Sequence, residues 1–318
     1  MEFKYSSKYL NLDQFCCCML SRSSWLHLRI PFSYFLLPVF LFAVAISPNL
    51  SEPRLLWVFV TLHLFLYPAS NGYNSYFDKD EKSIGGLKNP PKVDKGLYYL
   101  SLLFDLIALA LGYFLINPLF ALMLFVYGLV SKAYSHPMIR LKKMPVTGWV
   151  AAGLFQGAFT FLMCYVGVNN LPLQACLHPH VLLPAMLTTV MLWANYPMTQ
   201  VYQHEEDMKR GDKTLSVKLG IKGTFYFTAT VFALAAALFT YYFTEFFNMK
   251  YVIAFFIALA PVLGYFLFWF IKVIRDESFA NHRYTMLLNF ISATCLNIFF
   301  IYFFLDNTQV LQVLLPDK

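Results

Sequence analysis

The sequence predicts an all-α integral membrane protein with nine transmembrane helices. Three observations carry this. First, 59% of the 318 residues are hydrophobic and only 13% are charged, whereas soluble domains carry roughly 25% charged residues. Second, the apolar residues fall in continuous runs near the ~20 residues that a membrane-spanning helix needs. Third, the basic residues segregate to one side of those runs. A mean hydropathy of +0.56 excludes a soluble globular enzyme and a disordered chain. Runs that do not alternate exclude a β-barrel. The net charge of +7 and pI near 9.0 would suggest nucleic acid in a soluble protein. In a membrane chain they mark cytoplasmic loops, and no nucleic-acid partner is expected.

The expected spans are residues 30–46, 55–76, 97–116, 119–134, 149–168, 181–202, 223–243, 252–274 and 284–304. Ahead of the first run stand Lys4, Lys8, Arg22 and Arg29. Lys79, Lys82, Lys88, Lys92 and Lys95 follow the second. The third and fourth are separated only by the tight turn Asn117-Pro118, and the fourth leads into Lys132, Arg140, Lys142 and Lys143. Lys209, Arg210, Lys213, Lys218 and Lys222 follow the sixth, and Lys272, Arg275 and Arg283 follow the eighth. If the spans alternate in direction, every basic residue except Arg54, Lys250 and Lys318 lies on the side of the N-terminus. A missed or invented span would scramble that bias, so the N-terminus is expected in the cytoplasm. The membrane is expected to be a bacterial inner membrane.

The expected organisation is a tail at 1–28, a membrane domain at 29–306 and a tail at 307–318. The six cysteines include the triplet Cys16-Cys17-Cys18 and form no CxxC pair, which argues against a zinc site or a disulfide framework. The triplet reads as plain tail rather than a lipidation signal. No signal peptide is recognised, and Met19 is a second candidate for the chain start.

Two loops on the basic side also hold most of the acids. In the first, Asn74, Asp78 and Glu81 fall within about 60° of one another on a helix, with His63 about three turns deeper on nearly the same face. In the second, Tyr196, Gln200, Gln203 and Asp207 share a face. Alone, either stretch reads as a solvated helix cap. Together, carboxylate and amide oxygens are the donors Mg²⁺ prefers, with phosphates and waters completing its shell. Such a pair ringed by lysines and arginines suits a diphosphate. Within the spans, His63, Asp105 and Asn195 are either functional or bonded to a neighbouring helix.

These residues resemble the UbiA-type intramembrane prenyltransferases over nearly the whole chain. Asn74-Ser75-Tyr76-Phe77-Asp78 resembles the start of the family's NDxxDxxxD signature. Residues 134–143, from Tyr134 through Arg140 to Lys142 and Lys143, resemble its YSxPxxRLK loop. Gln203 to Asp207, with Gly211, Lys213-Thr214-Leu215 and Leu219-Gly220, resembles its DxxxDxxxG…KTL…LG signature. There are departures: Ser75 and Lys82 stand where the first pattern asks for aspartate, and Gln203 where the second does. Asp80, Glu81, Glu205 and Glu206 are candidates to compensate, and Lys82 is a candidate tethered cation.

The resemblance implies helices around a central chamber and Mg²⁺-dependent transfer of a polyprenyl group from its diphosphate to a hydrophobic, aromatic acceptor within the bilayer. It implies Asp78 and Asp207 as catalytic. Metal roles fall to Asn74, Asp78, Glu81, Gln203, Glu206 and Asp207. Diphosphate binding falls to Lys88, Tyr134, Arg140, Lys142 and Lys213, and the acceptor chamber to His63 and Tyr196. The aromatic residues, including 34 Phe and 21 Tyr, are candidates for cation–π stabilisation of a carbocation, although membrane helices are commonly Phe-rich. The lost aspartates motivate a rival, a relative that binds prenyl lipid or quinone without turnover. A transporter would need polar or broken helices near the midplane, and a phosphoalcohol transferase would carry a DG…AR…G…DxxxD signature that is absent.

Overall fold

The computed structural model describes residues 21–308. Among them there is no strand, and nine helices are long and apolar enough to cross a membrane. They are α1 (Arg22–Ala45), α2 (Glu52–Asp78), α3 (Gly96–Ile116), α4 (Pro118–Ser135), α5 (Pro145–Asn169) and α6 (Pro179–Gln200), followed by α8 (Leu215–Phe246), α9 (Met249–Arg275) and α10 (His282–Asn307). A short helix, α7 (His204–Arg210), lies between α6 and α8. The chain is a multi-pass integral membrane protein whose helices agree in number and order with the expected spans.

The differences lie at helix ends and have local causes. The Ser21 hydroxyl accepts from the Ser24 amide at 3.2 Å, which caps α1 and draws residues 22–28 out of the expected tail. Thr214 caps α8 by accepting from the Val217 amide at 3.3 Å. That helix therefore starts before the apolar run, and Gly220 bends it with φ 71°. In α6 the α-helix ends at Asn195 and Pro197 lies in a closing 3₁₀ turn, Tyr196–Gln200. The cysteine triplet, the alternative start at Met19 and the ends of both tails lie outside the described residues.

Helix α1 packs on α2 and α10, α2 on α3, α3 on α4, α6 on α8, α8 on α9, and α9 on α10. The ring is completed by α5, which touches α1, α4 and α6. Phe42, Phe239, Phe243 and Phe300 lie near the C-terminal ends of α1, α8 and α10, which run in the same direction. Phe42 stacks on Phe300 at 4.5 Å, and Phe161, Tyr242 and Phe303 also pack against it. These side chains are essentially fully buried and plug the ring at the end away from the acidic loops. Much of the Phe-rich composition is accordingly core.

All three polar residues singled out within spans bond their neighbours; His63 bonds the Ser33 backbone on α1. Asp105 pairs with Lys132 across α3 and α4, and Asn195 donates to Asn289 Oδ1 at 3.5 Å.

Candidate active site

The open end of the ring is built from the C-terminal ends of α2, α4 and α6 and the segments that follow them. Helix α2 stops where Lys79 adopts a left-handed conformation, φ 51°. Asp78 then ends the helix and Asp80 follows on the turn. The loop after it is held from three sides. The Glu81 and Lys82 amides donate to Glu206 Oε1 at 3.2 and 2.8 Å. His282 donates to the Ile84 carbonyl at 3.0 Å, and His27 to the Pro91 carbonyl at 2.8 Å. Arg29, at the break within α1, donates to the Gly85 carbonyl at 3.1 Å and the Asn71 carbonyl at 3.3 Å.

A second segment follows α4. Arg140 takes a left-handed conformation, φ 46°, and the turn Leu141–Lys143 comes next. A Cβ on Gly148 would stand 2.9 Å from the Leu141 carbonyl oxygen. Glycine there lets the start of α5 press against the turn and fixes Lys142. A third segment is α7, whose C-terminus is closed by Gly211 at φ 75°. That left-handed cap, open to glycine without strain, swings Asp212 back so that its amide donates to the Asp207 carbonyl at 2.8 Å.

These segments meet in an alternating chain of charge. Lys142 pairs with Asp78. Arg140 reaches Asp78 Oδ1 at 3.3 Å and clasps Asp212 through both carboxylate oxygens at 2.7 and 2.8 Å. Arg210 reaches Asp212 at 3.3 Å, Asp207 at 2.7 Å and, most closely, Asp80. The titration behaviour follows. Burial pushes the Asp207 carboxyl up to about 6 against the pull of Arg210 and Lys142. Burial and the neighbouring Asp78 raise Asp80. For Asp212, burial is outweighed by the hydrogen bond from Arg140 and the charges of Lys142, Arg140 and Arg210, which hold its carboxyl low.

Asn74, Asp78, Tyr134, Lys142, Tyr196, Gln203 and Asp207 all border one cavity. Tyr134 and Tyr196 share a hydroxyl–hydroxyl hydrogen bond, and Asn74 Oδ1 accepts from Ser135 at 2.9 Å. The remaining expected residues lie elsewhere. Arg140 stands behind Asp78. Glu206 faces the 81–82 backbone, and Glu81 is exposed. Lys88 and Lys213 are exposed outside the cavity wall. Lys82 pairs with Glu205 at the surface. His63 is buried beside Phe59 at a ring separation of 4.7 Å. It was placed on the Asn74 face by assuming an unbroken α-helix, but a π-helical turn at Thr61–Leu66 intervenes and rotates everything before it.

Sequence reasoning missed Arg29 and Arg210, which border the cavity, and Asp212, which holds Arg210 and the Arg140 behind it; Asp80, named only as a compensating carboxylate, borders the cavity too. The run Arg210-Gly211-Asp212-Lys213 carried the signal, since a glycine between opposite charges allows them to fold back on one another.

Residues 35–294 match the UbiA prenyltransferase family. The chain belongs to this family. No curated protein matches it. Among solved structures, a UbiA homologue from Archaeoglobus fulgidus bound to GPP and Mg²⁺ superposes with a TM-score of 0.60 at 17% identity, covering 88% of this chain and 99% of that one. A UbiA homologue from the same organism bound to DMAPP and Mg²⁺ gives 0.61 at 18% identity, with 89% and 99% covered. A structure described for digeranylgeranylglyceryl phosphate synthase in membranes gives 0.57 at 17%, with 90% and 98% covered. At these identities the likeness is one of fold: this UbiA-family chain shares their helical ring.

Whether its own residues suit a hard cation is a separate question. Among the described residues, no three His, Cys, Asp or Glu side chains converge on a metal position. The cavity does present carboxylates from Asp78, Asp80 and Asp207 with amides from Asn74, Gln200 and Gln203. Gln200 Oε1 is buried with no partner among the described residues. This oxygen-only set fits Mg²⁺ if phosphate oxygens and waters complete the shell.

Proposed function

We propose that this UbiA-family protein transfers a polyprenyl group from a polyprenyl diphosphate to a hydrophobic aromatic acceptor within the membrane, in a Mg²⁺-dependent reaction. The observation that carries the reading is the cavity at the open end of the ring, where two acidic segments face each other among buried cations. The A. fulgidus homologues bind GPP or DMAPP with Mg²⁺, and the shared fold supports a like ligand here. By the bias of basic residues, the site and the N-terminus are assigned to the cytoplasmic face.

Asn74, Asp78, Asp80, Gln203 and Asp207 would hold the metal. When bound, it supplies Lewis-acid neutralisation of the leaving diphosphate. The chain's own groups do the rest. Lys142 borders the cavity and is positioned for the diphosphate oxygens, with Arg140 behind it holding Asp78 and Asp212 in place. The paired hydroxyls of Tyr134 and Tyr196 orient the phosphate end. Val130, Ala151, Ala152 and Phe155 form an apolar wall, which keeps water from the allylic cation formed as the C–O bond ionises. Preset charges of this kind need no reorganisation as the leaving group develops its charge.

One observation favours the rival, a binder without turnover: Asp78, Asp80 and Asp207 are each already paired with a protein cation. Diphosphate release from geranylgeranyl diphosphate decides between them. It is measured in membranes containing the chain and pooled aromatic acceptors, with Asp78→Ala and Asp207→Ala alongside. Release that requires Mg²⁺ and disappears in both variants supports transfer. Binding of donors of several lengths with no release supports the binder.

A further inference from the structure

Among the described residues, Arg210 is the one side chain that touches Asp80, Asp207 and Asp212 together. It joins the loop after α2 to both ends of the acidic segment around α7, and it borders the cavity. Its guanidinium occupies Oδ1 of Asp80 and Oδ1 of Asp207, atoms a metal spanning the two segments would also seek. A guanidinium and a divalent cation on the same oxygens repel each other, so metal binding there is opposed for as long as the guanidinium stays. Without either, Asp80 and Asp207 would keep only the charge of Lys142, which is itself paired with Asp78.

We propose that Arg210 is a resident counter-ion standing in for the metal: it clamps the two acidic segments while the site lacks diphosphate and turns onto the diphosphate when metal takes Asp80 and Asp207. The guanidinium fork suits this exchange, since it pairs with carboxylate and phosphate alike through parallel N–H donors. No bond is made or broken, and one positive charge moves from carboxylates to phosphate. The consequence is ordered loading. Metal alone meets an occupied site, whereas metal with diphosphate gives Arg210 somewhere to go. This rests on the metal–diphosphate reading above, and the test separates the two.

The full chain in nanodiscs is titrated with Mn²⁺ alone, followed by the electron paramagnetic resonance signal of free Mn²⁺. In a second arm, binding of radiolabelled geranyl S-thiolodiphosphate is measured against Mn²⁺ concentration. The parent should bind the thiolodiphosphate only with Mn²⁺ and bind Mn²⁺ alone weakly. Arg210→Gln should bind Mn²⁺ alone about 10- to 100-fold more tightly, the scale expected when a competing charge-assisted contact is lost, and should lose most of the coupling between the two ligands. Arg210→Lys, with a point charge too compact to bridge both carboxylates, should gain less and serves if the glutamine variant does not fold. A merely structural arginine would give weaker metal binding on removal, so a gain is diagnostic. Unchanged or weaker Mn²⁺ binding in folded variants, beside a parent that couples the two ligands, would overturn the role of Arg210 alone. A parent that binds neither combination would overturn the metal–diphosphate reading and this inference with it.

Discussion

Asp212 touches neither metal nor substrate in the proposed reaction, yet its replacement by asparagine should be costly. Its side chain is 1% exposed. It accepts two charge-assisted bonds from Arg140, at 2.7 and 2.8 Å, and a longer one from Arg210 at 3.3 Å. Asparagine keeps the shape but removes the charge and one acceptor. Arg140 then retains Asp78 as its only anionic partner, and that pull competes with metal for Asp78. Removing one member of a buried ion pair costs about 3–5 kcal/mol. Because Arg140 and Arg210 are partly solvated, the lower end, about 3 kcal/mol, is the better figure, equivalent to roughly 100-fold in binding. Diphosphate release measured against Mg²⁺ concentration should show the apparent KM for Mg²⁺ rising by that order, with kcat falling less. Asp212→Glu should recover part of the loss. If Asp212→Asn leaves the KM for Mg²⁺ and for the diphosphate within about twofold of the parent, the charge chain does not position the site.

Three further outcomes are expected. Asp207 titrates near 6 because it is buried; it is protonated below that pH and ionised above it, so the KM for Mg²⁺ should climb as pH falls through 6 and level off above 7, and a flat profile from 5 to 7 would refute its role as a ligand. Lys82→Ala should leave rate and Mg²⁺ dependence unchanged, since Lys82 and Glu205 are an exposed pair that salt screens; a shifted Mg²⁺ curve would restore it as a tethered cation. His63→Leu should keep turnover within about twofold and melt close to the parent, because the buried Nε2 it removes has no partner among the described residues and is costly to bury, which offsets the lost bond to the Ser33 backbone; loss of activity at unchanged stability would return His63 to the acceptor chamber.

What was legible in the sequence was what depends on local order. Continuous apolar runs gave the spans, and the side on which basic residues fall gave their alternation. Asp78, Lys142 and Asp207 stood in motifs at helix ends, and the cavity gathers them. Tyr196, Gln200, Gln203 and Asp207 were grouped by assuming one helix. They do meet, but through a 3₁₀ turn and a fresh helix rather than a shared face. His63 was misplaced because a π-helical turn leaves no mark in apolar periodicity. Asp212 and Arg210 were passed over, although the glycine between them was a signal, because their importance lies in partners drawn from the loops after α2 and α4. A charged run after a helix has the same composition whether it is solvated or folded inward.

The strap after Asp80 is anchored at Pro91 by His27 on the first span and at Ile84 by His282 on the last. Met286, also on the last span, accepts from the Gly86 amide at 3.4 Å. Biogenesis is thereby tied to completion of the chain. During synthesis, the acidic segments and every earlier span can be inserted while the strap still lacks its second anchor. A chain truncated before α10 would retain every residue of the charge network and yet lack the strap's second anchor and the Phe300 and Phe303 part of the plug. Competence to bind ligand would arrive only with the ninth insertion.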